Sequence, residues 1–134
     1  MAASGGIIRQ EECEVRSPLT ASIRQAPGGV TVVDLAGRIT LGQGAAVLRE
    51  TLQDLVAGGR VCILLNLCGV PYIDSSGIAE MVAGYTAASS QGGSVRVLIQ
   101  AGPVRQVVGI SVFEIFDNEN EAIDSFRRGS AAVA

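Results

Sequence analysis

Apolar residues recur along this chain with two periods in alternation, and the switches between them mark out the elements. Thr20–Gln25 reads as a weak strand, Ala26-Pro27-Gly28-Gly29 as a turn and Val30–Leu35 as a β-branched strand, which together predict an N-terminal hairpin. From Ala45 the spacing becomes helical, with Ala45, Leu48, Leu52 and Leu55 on one face until Gly58-Gly59 ends the run. Val61–Leu67 is almost continuously apolar, as a parallel strand buried on both faces would be, and is the expected centre of the sheet.

The same alternation continues to the C-terminus. A helix is predicted from about Ser76 to Gln91, with Ile78, Met81, Val82 and Tyr85 inward, followed by a strand at Val95–Ile99. Pro103 suits the first turn of a third helix with Val104, Val107 and Val108 on its inner face and Gly109 at its end. Val112–Phe116 predicts a short strand, and Asn118 the cap of a last helix carrying Ala122, Ile123 and Phe126. The order β-β-α-β-α-β-α-β-α implies an α/β domain with a mixed, mainly parallel sheet and helices packed on it. Residues 1–17, small, polar and acidic, predict a flexible arm; residues 18–128 form the domain, and 129–134 a fraying tail.

Composition narrows the chemistry. The 134 residues are 48% hydrophobic and 17% charged, with a formal charge of −3, which suits one domain with a single core. There is no His, no Trp and no Lys, so all ten basic residues are Arg. Without His there is no Ser-His-Asp or Cys-His nucleophile and no imidazole ligand; without Lys there is no Schiff base and no P-loop lysine. No enzyme, no catalytic residue and no cofactor is expected. A mildly acidic chain also lacks the basic patch that nucleic acid or an anionic membrane would need. No run nears the ~20 apolar residues of a membrane span, and the N-terminus lacks signal-peptide order, so a cytoplasmic location is expected. Cys13, Cys62 and Cys68 have no metal-ligand spacing and read as incidental thiols, so no metal site is expected.

The unusual local feature is Asp74-Ser75-Ser76-Gly77, between a buried strand and a helix. A serine there can cap the helix by accepting a backbone N–H. It can also take a phosphate: a helix N-terminus tolerates anions, and phosphorylation adds roughly −1.5 to −2 charges that would repel a partner lying over the loop, with Asp74 sharpening the effect. Against a chain charge of only −3 that is a large local change. As a nucleophile the serine is poorly placed, since the run is I-D-S-S-G and not G-x-S-x-G. Gly42-Gln43-Gly44 is a flexible loop and not a dinucleotide fingerprint, because it lies late after its strand and Val47 fills the third glycine position. Glu114, Asp117, Glu119, Glu121 and Asp124 match no calcium loop and read as a solvated helix start.

The run L-N-L-C-G-V-P-Y-I-D-S-S-G-I-A at Leu65–Ala79, with V-V-D-L-A-G-R-I at Val32–Ile39, resembles the STAS domains of bacterial anti-sigma factor antagonists, and the element order agrees from about Pro18 to Arg128. The resemblance implies a STAS-like fold and a partner switch. The unphosphorylated domain would bind an anti-sigma factor serine kinase and free the sigma factor; phosphorylation of Ser75, or failing that Ser76, would release it, with a protein phosphatase as a second partner. It places the binding strip at Gly37–Gly42, with Gly37, Arg38, Ile39 and Thr40 foremost, and at Asp74–Val82, with Asp74, Ser75, Ser76, Gly77, Ala79 and Met81 foremost. One departure is Gly37-Arg38-Ile39-Thr40, where the antagonists carry an acidic G-E-L-D-like turn. A constitutive scaffold or small-ligand-sensing module is the alternative reading, and both monomer and homodimer remain open.

Overall fold

The computed structural model describes residues 19–100, 102–108 and 113–133. The arm at 1–17, Pro18, Gly109 and the start of the predicted strand at Val112 lie outside the described residues.

Strands β1 (Leu19–Ala26) and β2 (Val30–Gly37) form the expected hairpin. Ala26 pairs with Val30, and the intervening Gly28 and Gly29 both take positive φ, 83° and 77°, which side-chain-bearing residues adopt only under strain. Helix α1 (Gln43–Ala57), strand β3 (Cys62–Gly69), helix α2 (Ser75–Ser90), strand β4 (Ser94–Leu98), helix α3 (Pro103–Val108), strand β5 (Ile115–Phe116) and helix α4 (Glu119–Val133) follow in order. The sheet runs β1-β2-β3-β4-β5, antiparallel at β1/β2 and parallel elsewhere. The fold class read from periodicity therefore holds, and β3 is the middle strand.

Alternation along the strands divides the core in two. Val33, Leu35, Ile63, Leu65, Leu67, Val95 and Val97 point to the face covered by α1 and α2, meeting Leu48, Leu52, Leu55 and Met81. Val30, Val32, Leu64 and Leu98 point to the other face, where Ala122 and Phe126 of α4 cover them. Ile63, Leu64, Leu65 and Leu67 are completely buried, which accounts for the apolar run, interrupted only by Asn66, that marks β3.

On that second face Arg24 joins three elements. Its guanidinium donates to both oxygens of Asp34 and of Glu119, at 2.6 to 3.2 Å, and Asn66 Nδ2 donates to Asp34 at 2.7 Å. Hydrogen bonding to Arg24 holds both carboxylates below their ordinary range. The groups are a third or more exposed, so the network orients α4 more than it stabilises the fold.

Three expectations need correction. Val107 is 40% exposed: only Val104 and Val108, one helical turn apart, face the core in so short a helix. Among the described residues β5 is only Ile115–Phe116; Phe113 lies before it and packs edge-on to Tyr85, ring centroids 5.7 Å apart. The last helix runs on to Val133, through most of the segment read as a tail. Asn118 caps it as expected, its Oδ1 accepting the Glu121 N–H at 3.0 Å.

Candidate functional site

The loops after β2 and β3 both leave the C-terminal edge of the sheet, and they are sewn to each other. Ile39 N–H donates to the Tyr72 carbonyl at 3.0 Å and Asp74 N–H to the Ile39 carbonyl at 3.1 Å, which makes Ile39 and Ile73 an isolated parallel bridge beyond the ends of the strands. Ile39 and Ile73 are buried and draw both loops onto the core. The entrance of α2 is held against this bridge by Gly77, at which a Cβ would lie 2.6 Å from Ile39 Cγ2 and 2.7 Å from Ile73 Cγ1. Glycine is required there by close approach.

Asp74 completes the joint. It is the N-cap of α2, with extended backbone, and its Oδ1 accepts the Gly77 N–H at 3.1 Å. Its Oδ2 accepts the Leu41 N–H at 2.9 Å, so a single carboxylate closes the helix and pins the neighbouring loop. The cap expected of a serine thus belongs to the aspartate. Asp, Ser and Ser are near-equal cap formers in succession, and spacing alone does not choose between them. The Leu41 amide foremost, then the Gly77 amide, stabilises the ionised form and lowers the Asp74 pKa.

A pH dependence follows from that shift. Because the folded-state pKa is lowered, the tie is complete above the ordinary Asp value and is lost as pH falls through the depressed one, below about 4. In an amide NMR titration from about pH 6 to about pH 2, the Leu41 and Gly77 resonances should move together with one depressed midpoint. Separate midpoints would mean that the two amides do not share this carboxylate.

With Asp74 as the cap, Ser75 is the first residue of α2 and is exposed; Ser76 is half-buried. Ala79, one turn on, is exposed beside Ser75. The loops tied to this helix entrance carry two exposed large apolar side chains, Leu41 at 80% and Tyr72 at 52% exposure. These are two of the four exposed large hydrophobic residues described, and they lie in the two loops that are tied together at the entrance of α2. Arg38 is exposed and makes no ion pair among the described residues, whereas Gly37 and Thr40 are half-buried.

The expected strip is thereby redrawn. Ile39, Gly77 and Met81 are buried and offer a partner no surface. Met81 follows Gly77 by four residues and shares its inward face with Gly84 and Ala88, so its part is core packing. Leu41 falls inside the expected Gly37–Gly42 strip, whereas Tyr72 lies outside it; the available signal for Tyr72 was a large apolar residue beside Pro71 just ahead of the tetrad. Among the described residues no group of three or more His, Cys, Asp or Glu is gathered to hold a metal ion. Glu114 and Glu119 of the acidic run are instead paired with Arg96 and Arg24.

The family model described as "Mlab, STAS domain" matches residues 23–114, more than half of the chain. The chain belongs to the STAS domain family. Among solved structures, an anti-sigma factor antagonist from Mycobacterium paratuberculosis has 20% identity and a TM-score of 0.72, over 81% of this chain and 94% of that one. The anti-sigma factor antagonist SpoIIAA in its unphosphorylated form has 19% identity and a TM-score of 0.65, over 81% and 98%. SpoIIAA from Bacillus in its phosphorylated form has 20% identity and a TM-score of 0.61, over 79% and 98%. At these identities the likeness carries the fold. No curated protein matches the sequence. In this STAS domain no helix among the described residues is long and apolar enough to cross a membrane.

Proposed function

We propose that this STAS domain is an anti-sigma factor antagonist, and that it docks on an anti-sigma factor serine kinase through Arg38, Leu41, Tyr72, Ser75 and Ala79. Phosphorylation of Ser75 ends the docking, and a protein phosphatase restores it. The observation that carries this reading is an exposed serine at the first position of α2, with exposed Leu41 and Tyr72 in the two loops tied to that helix entrance. The fold shared with structures of antagonists supports it.

The physical chemistry is local. Asp74 already commits both carboxylate oxygens to backbone amides, so the Ser75 hydroxyl is not needed to close the helix. A phosphate there would sit at the positive end of the α2 dipole, worth about 0.3–1 kcal/mol to the modified form, so modification leaves the host folded. Toward a partner the effect is opposite. Roughly two added negative charges at Ser75 would have to be desolvated when a partner covers the helix entrance, and adjacent Asp74 is also negative. No chemistry is asked of the domain beyond a hydroxyl; the kinase supplies the rest.

The test is incubation of the full chain with candidate anti-sigma kinases and ATP, followed by site mapping by mass spectrometry. Phosphate is expected on Ser75. Ser75→Ala should bind the kinase as the parent does, with stability changed by less than about 0.5 kcal/mol because the cap is elsewhere. Ser75→Asp should bind at least roughly tenfold more weakly. Phosphate confined to other residues, or equal binding by the two variants, would count against the switch and favour a constitutive scaffold.

A further inference from the structure

A second site lies on the same edge of the sheet, beyond β3 and β4. Here a cleft of about 320 Å³ opens between the loop after β3 and the start of α3, lined among others by Cys68, Val70, Pro71, Ile99, Val104 and Arg105. Open α/β sheets take ligands outside the carboxyl ends of their parallel strands, and the volume suits a small molecule. The lining combines two characters. Val70, Ile99 and Val104 are core residues whose edges form apolar wall, and Arg105 is the one charged residue.

Arg105 is half-buried. Its Nη1 donates to the Ile99 carbonyl at 3.2 Å, and it makes no ion pair among the described residues. By contrast, Arg24, Arg49 and Arg96 are each paired with a carboxylate. A guanidinium that has lost part of its water and faces no acid is a receptor for an anion, and a carboxylate fits its fork. Inorganic phosphate would meet the same cation but leave the apolar wall wet.

We infer that this cleft binds a small amphipathic carboxylate, its head group on Arg105 and a short alkyl tail against Val70, Ile99 and Val104. Such binding does not depend on Ser75 being phosphorylated.

Acetate, butyrate, hexanoate and inorganic phosphate are to be titrated separately into the full chain and followed by amide NMR. Saturable shifts are expected at Val70, Ile99 and Val104, with affinity rising roughly fourfold per added methylene while the tail still gains buried contact. Arg105→Gln should weaken hexanoate at least tenfold, whereas Arg60→Gln, exposed at the opposite end of β3, should not change it. Because Arg105 also holds the Ile99 carbonyl, alkylation of Cys68 in the unmodified chain gives an independent readout: hexanoate should slow it and leave Cys62 unaffected. Non-saturating shifts, hexanoate affinity retained by Arg105→Gln, Cys68 alkylation unchanged by hexanoate, or phosphate binding as tightly as hexanoate would each overturn the assignment.

Discussion

Exchanging Leu41 for Ser and Tyr72 for Ala together is expected to weaken the proposed docking on an anti-sigma factor kinase by about a hundredfold while leaving the unfolding midpoint unchanged. Leu41 is 80% and Tyr72 52% exposed, so neither holds the fold together, and exposed substitutions of this kind usually stay within about 0.5 kcal/mol. In a complex both would be desolvated, and truncating a central apolar anchor commonly costs more than about 1 kcal/mol. The tie from Asp74 survives the exchange because it is made to the Leu41 backbone, so a loss of binding reports the side chains alone. Titration calorimetry with the purified kinase is the check. Full affinity in the double variant would move the docking surface away from these loops.

Gly77→Ala is expected to cost about 1–3 kcal/mol, as overpacking does. The added methyl would lie 2.6 Å from Ile39 Cγ2, 2.7 Å from Ile73 Cγ1 and 2.9 Å from the Ile39 carbonyl oxygen, so two buried side chains and the bridge between the loops must give way. Ile39→Ala, at a completely buried position, should cost about 2–5 kcal/mol by leaving a cavity. The double variant should lose less than the sum, because the new methyl enters space that Cγ2 has left, although the contacts to Ile73 and to the backbone remain. Urea unfolding of the four proteins measures this cycle. Strict additivity, or a Gly77→Ala domain as stable as the parent, would refute close packing at this joint. Both single variants should also weaken docking although the Ser75 hydroxyl is untouched, since they displace the loop that carries Leu41.

The sheet was legible because its signals are local and strong. A β3 that is apolar but for Asn66 can be little else than a central strand, and the Gly28-Gly29 turn demands a backbone that few other residues provide. Helical spacing likewise identified Leu48, Leu52 and Leu55 as core. The tetrad between β3 and α2 was visible as a place, but its division of labour was not: Asp74, Ser75 and Ser76 are all competent caps, and what decides for Asp74 is a second acceptor oxygen aimed at Leu41, 33 residues earlier in the chain. The same limit applies to the surface. Met81 and Ala79 sit two residues apart on one helix, and only the packing of α2 on the sheet sends the first inward and the second out. Leu41 and Tyr72 acquire meaning as a pair across two loops, which no window of sequence contains.

The Arg24 network also bears on how the chain is made. Arg24 lies in the first strand and Glu119 at the start of the last helix, 95 residues apart. At about 5–20 residues per second, a ribosome needs roughly 5–19 s to reach the second after finishing the first. Until then Val30 and Val32, and later Leu64, have no α4 to cover them once they are made. The nascent hairpin therefore waits with one side wet, and the half of the sheet beneath α4 is where a chaperone would find its grip.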